Sequence, residues 1–170
     1  MWRKRFTRKY GILCFALAII FALDQASKAV VQHTVPLYGS IPVIRGFFNL
    51  TYVKNTGAAF GLFAGDTNAF RTLFFVTITV GALVLIFWLF RRIKEDRVLI
   101  PLSFAMIIAG AVGNLVDRIR WGYVIDFLDF YWQTYHWPAF NIADSAITVG
   151  VALLFIENLF PRRRCGSLEA

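Results

Sequence analysis

Pro138-Ala-Phe-Asn-Ile-Ala-Asp-Ser-Ala-Ile-Thr-Val-Gly150 opens the last long apolar run of the chain. It places an ionisable residue, Asp144, within the first turn or two of what must be a membrane-spanning helix. An ionised carboxylate at that depth is costly unless it faces a polar cavity or a partner, so a functional site is the default reading. Upstream, Asp126 sits in Tyr123-Val-Ile-Asp-Phe127, just before that helix. The expectation is that these two carboxylates form one site at a membrane surface.

Composition agrees with the membrane reading. The chain has 170 residues, room for a single domain, and is 58% hydrophobic and only 16% charged. Apolar runs of about 20 residues match the thickness of a bilayer. Four spans are expected, at about 11–31, 70–90, 98–116 and 140–160, with 32–69 and 117–139 outside the cytoplasm. The net charge of +8 is clustered: Arg3, Lys4, Arg5, Arg8 and Lys9 precede the first run, Arg91, Arg92, Lys94 and Arg97 follow the second, and Arg162, Arg163 and Arg164 follow the last. Cytoplasmic flanks carry such excess basic charge. With four spans both termini share that side, and Asp24, Asp126 and Asp144 fall on the other. No folded basic face remains to present to nucleic acid.

The basic start followed by an apolar run has the look of a signal peptide. The run continues through Asp24 and Lys28 with no small-residue cleavage site, so a retained first helix is expected. Cys14 and Cys165 lack a CxxC or Cys/His neighbour, which argues against a disulfide framework or a zinc site. The closing Gly166-Ser-Leu-Glu-Ala170 reads as an added tail.

Several polar residues have two readings. Asp24 and Lys28 are four apart, acid first, and share a helix face. They form either a self-satisfying interfacial pair or the polar mouth of the site. Arg118 can grip a carboxylate bidentately. It serves either as an interfacial partner of Asp117 or as a clamp on a catalytic acid or a substrate carbonyl. Val43 to Lys54, rich in β-branched and aromatic residues, suggests one or two short strands outside the membrane. Asn55-Thr-Gly-Ala-Ala-Phe-Gly61 permits tight turns, and Ala109-Gly-Ala-Val-Gly-Asn-Leu115 close helix contact in lipid. Trp121 to Trp137 is too polar to span and looks like an interfacial aromatic belt.

Nucleophile chemistry has little support. Ser27 and Lys28 are adjacent and point apart on a helix. There is no Gly-x-Ser-x-Gly elbow and no His-Glu-x-x-His, and only His33 and His136 could act as base. Paired carboxylates remain: close together, one is protonated and the other ionised, so one activates water while its partner polarises a carbonyl. Chemistry alone leaves several acids as candidates for that pair.

Five motifs narrow the choice. Asp24-x-x-Ser-Lys28, Asn55-Thr-Gly-Ala-Ala-Phe60, Gly110-Ala-Val-Gly-Asn-Leu-Val-Asp-Arg118, Val124-Ile-Asp-Phe127 and Phe140-Asn-Ile-Ala-Asp-Ser145 stand in the order and spacing of the bacterial lipoprotein signal peptidases (signal peptidase II), which the chain resembles from about Asp24 to Gly150. It departs at Ala109, where a second Gly is common, and at Gly61, where Ser often follows the Phe. The resemblance implies an all-α membrane protein with a small β element, a four-transmembrane-helix bundle with an extracytoplasmic β-cradle. It implies an aspartyl endopeptidase of the bacterial cytoplasmic (inner) membrane, facing the outer, periplasmic side. The substrates it implies are diacylglyceryl-modified prolipoproteins, cut just before the lipidated Cys. It maps the dyad onto Asp126 and Asp144 and the supporting residues onto Asp24, Lys28, Asn55, Asn114, Asp117, Arg118 and Asn141. It implies no cofactor or metal, sensitivity to globomycin-type inhibitors, contact with membrane lipids, and a monomer.

Two other classes compete. A small proton-coupled transporter would carry polar residues through to the cytoplasmic face, whereas Cys14 to Leu23, Phe74 to Leu89 and Val149 to Ile156 are nearly all apolar. A non-catalytic scaffold would leave five polar motifs without a purpose.

Overall fold

The computed structural model describes residues 2–57, 69–93 and 98–159, the first six of them by backbone alone. Ala58 to Gly61 of the small-residue motif, the charged loop 94–97, Phe160, the Arg162–Arg164 triplet, Cys165 and the final tail lie outside the described residues. So do the side chains of Arg3, Lys4 and Arg5.

In order along the chain come α1 (Trp2–Thr34), β1 (Ser40–Ile44), β2 (Phe48–Asn55), α2 (Ala69–Arg92), α3 (Leu99–Trp121), β3 (Val124–Trp132), β4 (Tyr135–His136) and α4 (Ile142–Leu159). All four helices are long and apolar enough to cross a membrane. Helices suit that task because each backbone N–H and C=O is satisfied within the segment. Large apolar side chains such as Phe15, Phe70, Leu73, Val84, Phe155 and Leu159 point outward, as lipid contact requires. This is a multi-pass membrane protein.

The observed helices differ from expectation mainly in length. α1 extends beyond 11–31 at both ends, and α3 continues past Val116 to Trp121, carrying Asp117 and Arg118 on its last turns. Gly122 stops α3: at φ 77° it takes the left-handed C-terminal conformation, and its N–H bonds the Arg118 carbonyl. α4 starts at Ile142, not Phe140.

α3 is the hub. Half of its apolar length is buried, against 6–17% for the others, and it packs on α1, α2 and α4. α1 also meets α4, while α2 packs along α3 and touches α1 at its basic end, where Tyr10 meets the Phe90 ring edge-on at 5.6 Å. At the basic end, buried Lys9 donates to the Phe90, Arg91 and Ile93 carbonyls at 3.4, 3.0 and 3.1 Å. It thus satisfies carbonyls that the end of α2 would otherwise leave unpaired.

The α3–α4 seam is built from small residues. A Cβ on Gly110 would collide with the Ala143 carbonyl oxygen and come within 2.8 Å of Ile147 Cγ1. Backbone cannot yield as a flexible side chain can, so the helices would have to part. Gly110→Ala is expected to cost about 1–3 kcal/mol, while Gly81→Ala, with nothing within 4 Å, should cost nothing. Thermal unfolding of both variants in detergent checks this; equal melting temperatures would show that the seam is not tight.

The strands form one antiparallel sheet in the order β1-β2-β3-β4. The β1–β2 hairpin turns at Gly46, φ 82°, and the β3–β4 turn places Gln133 at φ 55°. Val31 and Val35 at the end of α1 pack with Tyr52, Ile125 and Phe127, with Leu50, Tyr123, Leu128 and Ile142 around them. This small core fixes the sheet at one end of the bundle.

Val43–Lys54 falls on two strands, as expected, but the aromatic segment after α3 is only partly a belt. Phe127 is buried, and Phe130 stacks between Phe48 and Phe140 at centroid distances of 4.7 and 5.9 Å. Only Trp121, Trp132, Tyr135 and Trp137 stand mainly exposed. Val124 to Phe127 are buried in succession. With both faces covered, the segment lacks the polar–apolar alternation that marks a half-exposed strand.

Candidate active site

Asn141 caps α4. Its Oδ1 accepts the Asp144 N–H at 2.9 Å, and Asp144 Oδ2 accepts the Asn141 N–H at 3.3 Å. This reciprocal pair has the form of a capping box, with Asp in place of the usual Glu or Gln. It explains how Asp144 tolerates its depth: a helix N-terminus offers unpaired N–H groups and partial positive charge. The other oxygen, Oδ1, accepts Asn114 Nδ2 at 2.7 Å.

Asp126 comes from β3. Its Oδ1 accepts Asn141 Nδ2 at 2.8 Å and its Oδ2 accepts Asn55 Nδ2 at 2.9 Å. Asn55 is oriented in turn by the Gly57 N–H, which donates to its Oδ1 at 2.8 Å. A backbone bridge between Leu128 and Phe140 ties β3 to the approach to α4. Asn141 therefore holds both acids, Asp144 through its backbone N–H and Oδ1, Asp126 through its Nδ2. Burial pushes the Asp126 carboxyl up to about 7; the amide of Asn55 opposes the rise, the negative charge of Asp144 adds to it, and Asn141 and Lys28 oppose it. Near neutral pH Asp126 can hold a proton or give one up.

Beneath the pair lies a charged layer. Lys28, 2% exposed, pairs at 2.7 Å with both Asp24 and Asp117. The expected Asp24–Lys28 pair is present, but it is not self-contained. Lys28 also donates to Asn114 Oδ1 at 3.3 Å, and Asn141 Nδ2 reaches the same oxygen at 3.2 Å. Lysine is donor-only, so the Asn114 oxygen must face it. The Asn114 amide hydrogens are thereby turned toward Asp144.

Asp24 Oδ1 accepts the Ala143 N–H at 3.0 Å, a second cap on α4 supplied from α1. Gly113 makes room for it, since a Cβ there would come within 2.9 Å of Asp24 Oδ2. Asp117 Oδ2 accepts the Ile125 N–H at 3.4 Å.

Asp117 does not pair with Arg118. Among the described residues its ionic partner is Lys28, because the two successive residues point to different sides of α3. Arg118 lies with its guanidinium carbon 5.6 Å from the Phe75 ring centre, a cation–π distance. Its charge still acts on Asp144, Asp126 and Asp117. His136 bonds Asp129 at 2.8 Å and His33 is exposed on α1; no described contact links either histidine to the two acids.

Sequence reasoning missed Gln25. Its Nε2 donates to Asp117 Oδ1 at 2.9 Å and to Asp24 Oδ2 at 3.3 Å. Its position beside Asp24 was the only available signal. The site thus offers two carboxyls at the head of a helix, one poised to titrate near neutrality, and a nearby guanidinium. That set can activate water and polarise a carbonyl without a side-chain nucleophile.

Comparison with known proteins identifies the family. The family described as Signal peptidase (SPase) II matches residues 16–160. A lipoprotein signal peptidase from Desulforapulum autotrophicum is 51% identical over 154 residues, 91% of this chain and 95% of that protein. One from Geobacter metallireducens is 48% identical, covering 91% and 94%. A bacterial membrane enzyme structure determined in meso at 2.3 Å superposes with a TM-score of 0.79 at 31% identity, covering 94% of each chain. A second, at 1.9 Å, gives 0.76 at 32% identity over 88% of this chain and 93% of that one. With most of its length matched by the family, and with close relatives spanning nearly their whole chains, this protein belongs to the signal peptidase II family.

Proposed function

We propose that the chain is an intramembrane aspartyl endopeptidase that removes signal peptides from diacylglyceryl-modified prolipoproteins, cutting just before the lipidated Cys. The observation that carries this reading is Asn141, which holds Asp126 and Asp144 together at the head of α4. The pair shares one proton, and the apparent pKa values belong to the pair. The ionised carboxylate takes a proton from water as its oxygen attacks the scissile carbonyl carbon. The protonated partner donates to the carbonyl oxygen. The tetrahedral adduct then collapses: one of its hydroxyls returns a proton to the partner carboxylate, the C–N bond breaks, and the leaving amine takes the proton that the first carboxylate drew from water. Arg118 adds positive charge beside the developing oxyanion.

The fold supports the substrate class. Arg8, Lys9, Arg91 and Arg92 lie at the helix ends opposite the acids, and the positive-inside rule favours a cytoplasmic side for that end and a site toward the outer surface of the inner membrane. Two acyl chains, each buried methylene worth about 0.8 kcal/mol, hold the scissile bond at a fixed depth. α2 and α4 flank α3 without close backbone approach to each other, which leaves a lateral way in for an apolar signal segment. Between Lys9 and Asp24, α1 buries no polar side chain, which does not favour a transport path.

The test uses the full chain in phospholipid vesicles with matched precursors. A diacylglyceryl-modified precursor should be cut on the N-terminal side of its modified Cys, and an unmodified one should not. Because the pair needs its shared proton, and burial pushes the Asp126 carboxyl up to about 7, turnover should fall about tenfold per pH unit on the alkaline side of that range. Equal cleavage of both precursors, or a flat rate from about pH 6 to 9, would reject the reading.

A further inference from the structure

The acids of the dyad are each preceded by a residue whose backbone N–H is held by a second carboxylate. Ala143, just before Asp144, donates to Asp24 at 3.0 Å, and Ile125, just before Asp126, donates to Asp117 at 3.4 Å. The Ile125 carbonyl also accepts Asn141 Nδ2 at 3.2 Å, so that residue is gripped on both sides. These two outer carboxylates do not float independently. Lys28 lies 2.7 Å from each, and Gln25 reaches both, at 2.9 Å to Asp117 and 3.3 Å to Asp24.

We propose that Gln25 is a positioning residue: with Lys28 it ties Asp24 to Asp117, and through the Ala143 and Ile125 amides this tie sets the separation of Asp144 and Asp126. The inference rests on the dyad reading above. Its physical basis is that Lys28 offers an ammonium that can swing on a flexible stem, whereas an amide held by two acceptors fixes direction as well as distance. Gln25 touches neither dyad acid in any described contact. It acts on them through two backbone segments, one opening α4 and one in β3.

Gln25→Met keeps the length and removes the donor; Gln25→Glu keeps the shape and turns the donor into an acceptor facing Asp117. Both are made in the full chain and assayed in vesicles with a diacylglyceryl-modified precursor peptide, alongside Asp126→Asn. Gln25→Met should lower kcat about tenfold, since small misplacements of reacting groups are costly, with KM and thermal stability nearly unchanged. The alkaline limb of its pH profile should shift, because the coupling of two carboxyls depends on their spacing. Gln25→Glu should lose more than Gln25→Met.

Wild-type kcat and pH profile in Gln25→Met would overturn the proposal, as would wild-type behaviour in Gln25→Glu. A fall in kcat that only tracks loss of folded protein, with an unmoved pH profile, would leave Gln25 a structural residue and equally overturn it. Failure of the dyad reading itself looks different: Asp126→Asn would then retain turnover whatever Gln25 does.

Discussion

Asp126→Asn should yield a folded protein that cleaves a lipid-modified precursor at least about a thousandfold more slowly, the scale of a lost general acid or base. The substitution is nearly isosteric but cannot carry the shared proton. Its effect on stability separates chemistry from folding. In the folded state burial raises the Asp126 carboxyl from 3.8 to about 7. A raised carboxyl favours the folded state only while protonated, so this residue's contribution declines as pH rises from about 4 to about 7 and stays unfavourable above. The full cost of ionising it is at most about 4 kcal/mol. Asparagine never incurs that cost.

Against this gain, the amide introduced by Asp126→Asn would turn its NH2 toward one of two existing donors, Asn55 or Asn141. An unmatched buried donor costs about 1–3 kcal/mol. The two effects nearly offset each other at pH 8, where the variant should melt close to the parent. At about pH 3, where the carboxyl is protonated in both states, only the penalty remains and the variant should be the less stable. Melting curves at both pH values, with turnover beside them, decide the matter. A variant within tenfold of parental activity, or one whose relative stability does not improve with rising pH, would contradict the assignment.

How far the sequence carried depends on the range of the interaction. The four spans were legible because lipid imposes a length and an apolar composition on each segment. Asp24 and Lys28 were legible because a helix puts residues four apart on one face. Asn141 and Asp144 lie within a single turn, and the motif containing them stood out against the apolar run. β3 was not legible. Its acids Asp126 and Asp129 interrupt the apolar pattern, yet both are buried against partners far along the chain, Asn55 for the first and Asn49 for the second. Adjacency in sequence offers Arg118 as one partner for Asp117, while the partner found, Lys28, lies on another helix. Gln25 has the same difficulty: its importance comes from facing Asp117 on α3, and no local pattern records that. Local chemistry leaves several acids open and the family motifs single out Asp126 and Asp144, but the groups that surround them come together only in the tertiary fold.

Lys28→Met should damage folding more than any other single change at the site. Its ammonium is the cation between two buried carboxylates, Asp24 and Asp117, each at 2.7 Å. Methionine fills much of the same space and leaves the two negative charges facing each other, with Gln25 and backbone N–H groups as remaining donors. Breaking a buried ion pair from one side costs about 3–5 kcal/mol, a large share of the roughly 5–15 kcal/mol that holds a typical protein folded. The same change leaves Asn141 Nδ2 as the remaining donor to the Asn114 oxygen, so the Asn114 amide is held toward Asp144 less firmly. Activity should therefore fall even in the protein that does fold. Removing one of the stranded charges should restore stability: Lys28→Met combined with Asp117→Asn is expected to melt above Lys28→Met alone, with a coupling of about 1–3 kcal/mol in the double-mutant cycle. Turnover should not return with it, because one of the two donors that orient Asn114 is still missing. Thermal unfolding and cleavage of lipid-modified precursor by the two single variants and the double variant measure both effects. Strict additivity in stability, or recovery of turnover in the double variant, would mean that Lys28 does not act as the shared cation of this layer.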